Sequence, residues 1–332
     1  MNTTQTHQQR LARALRTESL LGLLGTLAFV IFVGGQVYRQ DLGILVIVYA
    51  LLALGMYLPL ALGGRLSLAY NAYFAIGAYS VAITGQQGGA LLWLAPILGV
   101  GLSMLTAAIL AIVTRKLSGF HLAVATMLFG IVVHTWLIHS GNWAGGPEGI
   151  GGIPRLFLFG WELGRTELIA VGALLVWVIA TAIVHYRTSF FGVALRAQRE
   201  TVPAAQACGV PIVSLRIISL ALGAGIASIA GMLLALMNQF ILPESFGIKV
   251  VFLVLFMPIL GGMFTPWGSV LGALIVVFFT LGFDFFEGPG VLTFGILALI
   301  ILLVFPQGVL GGLAALRQRF KKPGVAKGGS LT

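Results

Sequence analysis

The sequence predicts an all-α polytopic membrane protein of about ten transmembrane helices, some of them broken, with a pair of short charged helices on its cytosolic side. Three observations lead there. Only 8% of the 332 residues are charged and 59% are hydrophobic, whereas a soluble domain carries about 25% charged residues; the mean hydropathy is +1.04. Apolar stretches close to the ~20 residues that a helix needs to cross a bilayer recur along the whole length. Those stretches do not alternate polar and apolar, as the strands of a membrane barrel do.

Residues 1–18, "MNTTQTHQQRLARALRTE", read as a cytosolic tail with Arg10, Arg13 and Arg16 on an amphipathic turn or two. A long polar lead with no small-residue cleavage site does not suit a signal peptide. The transmembrane domain is expected over 19–310, with spans near 20–37, 42–62, 66–84, 90–114, 119–140, 166–186, 212–236, 247–262, 267–283 and 291–307. An outer loop is expected at 141–165, a cytosolic loop at 188–210 and a basic cytosolic tail at 311–332. The segments 247–262 and 267–283 are short and flank "GGMFTPWGS", so they are expected to be half-helices meeting inside the membrane.

Charge sets the orientation. With the N-terminus inside, every Lys and Arg except Arg39, Arg155, Arg165 and Lys249 falls on an inner segment, the bias that marks cytosolic loops. Seven acids, Asp41, Glu148, Glu162, Glu167, Glu244, Asp284 and Glu287, fall outside. Both termini are therefore expected in the cytosol. The net charge of +10 is not gathered on one soluble module, which argues against a nucleic-acid partner. A single cysteine, Cys208, excludes an internal disulfide and a thiolate-rich metal site.

The cytosolic loop is the most charged part of the middle of the chain. "FGVALRAQRE" suits a helix capped by Ser189, with Arg196, Arg199 and Glu200 along one solvent-facing side. Pro203 interrupts it, and "PAAQACG" reads as a second short helix that starts at the proline and stops at Gly209. Two short helices with small alanines make a docking element; an ordinary solvated loop is the plainer alternative.

Polar groups inside a bilayer are costly and are candidates for function. Ser67 and Asn71 follow a Gly-Gly break at Gly63 and Gly64, so they could line a pathway or bond packed helices. Tyr70 and Tyr73 could form a constriction or an interfacial belt. "LALGGRLSLAYNAYFAIGAYSV" (60–81) resembles "PILGGMFTPWGSVLGALIVV" (258–277), which adds Gly261 and Gly262 to the pathway candidates. His134 and His139 do not share a helix face and no carboxylate stands at metal-ligand spacing, so no metal site is expected. No G-x-S-x-G, H-E-x-x-H or P-loop motif is present. The chain should therefore be no enzyme and no ATPase.

The stretches "GGRLSLAYNAYFAIGAY" (63–79), "WAGGPEGIGGIP" (143–154), "FFGVALRAQRETVPAAQACGVPIVSLRIISLALGAGIASIAGML" (190–233), "LGGMFTPWGSVLGA" (260–273) and "LLVFPQGVLG" (302–311) together resemble the branched-chain amino acid permease family of ABC importers, in its M-type membrane subunit. "PAAQACG" is similar to the family's coupling motif of Glu-Ala-Ala, three residues, then Gly, with Pro203 in the glutamate's place.

The resemblance implies a second homologous permease subunit, two cytosolic ATP-binding subunits that carry the ATP and magnesium, and an extracytoplasmic substrate-binding protein. It implies no cofactor on this chain and a bacterial inner membrane location. Leu195, Arg196, Arg199, Glu200, Ala204, Ala205 and Gly209 would touch an ATPase, and Gly145, Gly146 and Glu148 the binding protein.

Ala69-Tyr70-Asn71 departs from the family's Gly-His, and Pro147-Glu148 from its Ser/Thr-Asp. Aliphatic amino acids are the default solute; urea, amides and carboxylates stay open. A ribose-type sugar permease is the nearest alternative, and an ion-coupled secondary transporter a further one.

Overall fold

The computed structural model describes residues 2–34, 37–87, 91–158, 161–281 and 308–312, with positions 295, 299 and 303. The expected tenth span is described only at Gly295, Leu299 and Leu303, each helical. Asp284, Glu287 and the tail beyond 312 lie outside the described residues.

Helices account for the other nine expected spans, in order: α1 (Asn2–Val33), α2 (Val37–Tyr57), α3 (Tyr70–Gln86), α4 (Ala95–Val113), α5 (Gly119–His139), α6 (Arg165–Thr188), α7 (Phe190–Glu200), α8 (Val202–Ala207), α9 (Ile212–Asn238), α10 (Ile248–Gly261) and α11 (Pro266–Leu281), with α7 and α8 lying between spans. Six helical stretches among the described residues are long and apolar enough to cross a membrane. They are Arg39–Leu62, Leu92–Val113, Gly119–His139, Arg165–Thr188, Ile212–Asn238 and Pro243–Gly261. Thr17–Val33 and Pro266–Thr280 are apolar but shorter. Helix α1 runs unbroken from Asn2 to Val33, and its apolar part is Thr17–Val33.

Helix α9 is the hub and packs on α2, α3 and α4. Small residues bring the backbones together: a Cβ on Gly77 of α3 would lie 2.0 Å from the Ser228 carbonyl oxygen of α9, and one on Gly231 of α9 would lie 2.0 Å from that of Phe74. This is how helices associate where lipid offers no hydrophobic drive between them. The stretches containing α2 and α9 are 78% and 72% buried in the protein, against 22% and 28% for those containing α4 and α5. The latter two therefore present most of their apolar surface outward.

Helix α2 ends in a π-helical turn, Leu58–Leu62, with Pro59 in it. One residue more separates Pro59 from Gly63-Gly64 than separates Pro258 from Gly261-Gly262, and a π-turn is the usual way to absorb one extra residue. In both copies the second glycine has positive φ, +63° at Gly64 and +113° at Gly262, and a new helix follows. The two resembling stretches thus share a proline near a helix end, a glycine turn and a helix restart.

Residues 65–69 lead into α3 without helix. Ser67, Leu68 and Ala69 are buried, the setting in which irregular backbone is tolerated at membrane depth. Here the break is real. At 247–283 it takes another form, since α10 and α11 pack side by side as a hairpin instead of meeting end to end. Gly261 and Gly272 sit at the contact, against the Gly268 and Met257 carbonyls, so glycine lets the turn close tightly.

The loops segregate to two ends. At one, Arg65 donates to the Leu117 carbonyl, Arg187 to that of Phe264 and Arg199 to that of Ala61. At the other, β1 (Ile150–Gly151) pairs antiparallel with β4 (Phe240–Ile241), next to a hairpin of β2 (Phe157–Leu158) and β3 (Trp161–Glu162), and Arg165 pairs with Asp41. Loops expected on the same side of the membrane therefore meet in space.

Candidate functional site: the basic end and the buried start of α3

The short helices form as the sequence leads one to expect. Ser189 caps α7, accepting from the Gly192 amide at 3.4 Å, and Pro203 stands in the first turn of α8. Gly209 closes α8 at φ +75°, with the Val210 amide donating to the Ala205 carbonyl at 3.1 Å, a helix stop that favours glycine. The pair lies against the end of α2, the end of α6 and the start of α9.

The seven residues expected to meet an ATPase divide into two sets. Leu195 and Ala205 are buried within the chain itself and hold α7 and α8 on the bundle. Arg196, Arg199, Glu200, Ala204 and Gly209 are exposed and form the free surface. Arg196 donates to the Arg187 carbonyl at 3.2 Å, and Arg199 packs its stem over Gly64, where a Cβ would come within 2.6 Å of Cγ. The glycine turn before α3 and the short helix pair are thus in direct contact.

Sequence reasoning did not single out Gln198. It is buried on α7 with neither amide atom bonded, and only its place on the inward face of "VALRAQRE" could have signalled it. It also treated Arg65 only as an orientation marker. Burial, and secondarily the nearby Arg216, pulls the Arg65 guanidinium down to about 10, which leaves it charged at neutral pH.

The pathway candidates around α3 are interior. Ser67, Tyr70, Asn71 and Tyr73 are each at most 2% exposed. The Tyr70 hydroxyl donates to the Gly55 carbonyl at 2.9 Å, and the Tyr70 and Tyr73 rings meet edge to face at 5.9 Å. The Asn71 amide donates to the carbonyls of Gly130 at 3.1 Å and Phe246 at 3.2 Å. It so bolts α3 to α5 and to the 3₁₀ turn before α10. The Leu68 amide donates to Thr126 Oγ1 at 2.9 Å, a second tie to α5. Ser67 Oγ and Asn71 Oδ1 have no partner.

Gly63 ends the π-turn, while Gly261 and Gly262 form the α10–α11 turn. A cavity of about 750 Å³ between α1, α2, α6 and α11 is lined by none of these candidates. A second, of about 350 Å³, is lined at the other end by Arg155, Arg165, Asn238 and Gln239 among others.

In the loop expected to be outer, Gly145 and Gly146 adopt left-handed backbone, φ +73° and +54°. Gly146 is buried, and Glu148 is exposed on the 3₁₀ turn beside it. No group of His, Cys, Asp and Glu that could hold a metal exists among the described residues.

Comparison with known proteins bears directly on this arrangement. The family described as "Branched-chain amino acid transport system / permease component" matches residues 40–306. The chain is 29% identical over 314 residues to the high-affinity branched-chain amino acid transport system permease protein LivM of Escherichia coli (strain K12), covering 87% of this chain and 73% of the relative. It is 30% identical over 315 residues to the protein of the same name from Salmonella typhimurium, with the same coverage. A probable branched-chain amino acid transport permease protein LivM of Methanocaldococcus jannaschii is 28% identical over 286 residues, covering 76% of this chain and 81% of the relative.

Proposed function

Because the chain belongs to the branched-chain amino acid transport permease family, we propose that it forms half of the translocation pathway of an ABC importer in a bacterial inner membrane, with the basic end in the cytosol. The other half is a second, homologous permease. The solute is a branched-chain or other aliphatic amino acid, the class in the relatives' names, or a similar small neutral molecule. Two ATP-binding subunits carry the ATP and magnesium, dock on the free face of α7 and α8, and move this chain between states. A substrate-binding protein delivers the solute at the opposite end, where Glu148 stands exposed beside the Gly145–Gly146 turn.

The observation that supports this most is the seating of α7–α8. A short helix pair anchored by Leu195 and Ala205 and tied by Arg199 to the end of α2 can pass a push into the bundle. The turn it presses on leads into α3, whose Asn71 grips α5 and the 3₁₀ turn before α10. A shift between two states needs only a few kcal/mol of differential binding.

The experiment is ATP-dependent uptake of radiolabelled leucine into proteoliposomes that hold the chain with its co-purified subunits and binding protein. Uptake that requires ATP and competes with valine and isoleucine supports the reading. Uptake driven by an imposed proton or sodium gradient without ATP refutes it in favour of a secondary transporter, and displacement by ribose instead refutes the amino-acid assignment.

A further inference from the structure

A second cluster at the basic end lies apart from the helix pair's free face. Arg65 leaves the glycine turn, reaches across to the α4–α5 connection and donates to the Leu117 carbonyl at 3.4 Å. Arg216, one turn into α9, lies close enough to Arg65 for the two positive charges to repel. Its Nε is buried with no partner. Arg115 and Lys116, just before Leu117, are exposed. Four cations therefore converge, and no carboxylate pairs with any of them among the described residues: the ion pair the structure records, Arg165 with Asp41, lies at the other end.

The surroundings are apolar and outward-facing. Val113 is 73% exposed at the end of α4 and Phe120 79% exposed at the start of α5, and Val213 and Ile218 are also exposed on α9. Uncompensated arginines set above exposed aliphatic and aromatic side chains at a helix end match an amphiphile with a negative head and hydrocarbon below. A protein's acidic surface would satisfy the arginines but leave Val113 and Phe120 uncovered.

We infer that Arg65 and Arg216, with Arg115 and Lys116 at the rim, form a binding site for the phosphate of an anionic phospholipid in the leaflet at the basic end. The phosphate accepts from both guanidinium groups, and the acyl chains lie along α4, α5 and α9. The inference does not depend on what the protein transports. It gives the glycine turn before α3 a fixed neighbour in the membrane on one side and Arg199 on the other.

The test is native mass spectrometry of the full chain released from mild detergent after exchange into phosphatidylglycerol or phosphatidylcholine. The expected result is one phosphatidylglycerol retained per chain in preference to phosphatidylcholine. Arg65→Gln with Arg216→Gln should weaken retention roughly twenty-five-fold, taking about fivefold for each basic residue near an anionic surface. The lysine pair Arg65→Lys with Arg216→Lys should retain most of it, and Arg39→Gln with Lys249→Gln at the opposite end should leave it unchanged.

Gel filtration of each variant separates lost lipid from lost fold; the lysine pair carries the test if the glutamine pair does not fold. Displacement of the bound lipid by millimolar inorganic phosphate would show a site for free phosphate and overturn the lipid assignment. Equal loss in the opposite-end variant would overturn it as well. So would undiminished lipid in the glutamine pair together with loss of a co-purifying ATPase, which would assign the arginines to a protein interface.

Discussion

The two ends of the molecule handle charge in opposite ways. At the basic end, Arg65, Arg187, Arg196 and Arg199 donate to backbone carbonyls of Leu117, Phe264, Arg187 and Ala61. These bonds orient the side chains without cancelling their charge. At the opposite end Arg165 meets Asp41, Gln40 donates to Thr166 at 3.4 Å, and backbone pairing of β1 with β4 closes the surface. That end pairs part of its charge. The other keeps positive charge in fixed positions, which is what a docking surface and a lipid boundary need.

The sharpest break of this contrast comes from reversing charge on the free face of the helix pair. Arg196→Glu with Ala204→Glu should lower ATP-dependent uptake by roughly a hundredfold, the upper reach of a coupling energy between sites. Both positions are exposed, so the change in melting temperature should stay within what about 0.5 kcal/mol produces. At the opposite end, Glu148→Gln should slow uptake only a few-fold and make it less salt-sensitive, as for a charge at an interface rim. If both ends responded alike, the contrast would have no functional meaning.

The midsection that joins the ends should respond through stability. Asn71→Ala leaves the buried Gly130 and Phe246 carbonyls without their donor, and should cost about 1–3 kcal/mol, read as an earlier thermal transition in detergent. Gln198→Leu works the other way. It replaces a buried, unbonded amide by an apolar group of similar size, and should raise stability by about 1 kcal/mol. The smallest effect is expected for Asp41→Asn: an exposed ion pair contributes under about 1 kcal/mol and less at high salt.

Much of this was legible in the residues because it depends on local patterns. Span length, the Ser189 cap, Pro203 at the start of α8 and Gly209 at its end follow from hydropathy and from backbone rules that act over a few residues. The Gly-Gly breaks were readable for the same reason. What was not readable depended on contacts far apart in sequence.

Leu195 and Ala205 look like contact residues on the short helices, but both are buried within the chain. Asn71 and Tyr70 look like pathway residues after a break, yet their partners Gly130, Phe246 and Gly55 are set by packing. The side-by-side hairpin of α10 and α11 needed the mutual approach of Gly261, Gly268 and Gly272, which no single segment announces. Gln198 carried no signal beyond the side of the helix on which it falls.

The central claim is that α7 and α8 are where the driving subunits attach. It is tested most directly by affinity purification of the tagged full chain in mild detergent, with mass spectrometry of what stays bound. The comparison is between the unaltered chain, the Arg196→Glu, Ala204→Glu variant and the Glu148→Gln variant. The account predicts two ATP-binding subunits and a second permease with the unaltered chain and with Glu148→Gln. With the helix-pair variant it predicts the second permease alone. Recovery of the same ATP-binding subunits with all three proteins, or of none with any, would contradict it.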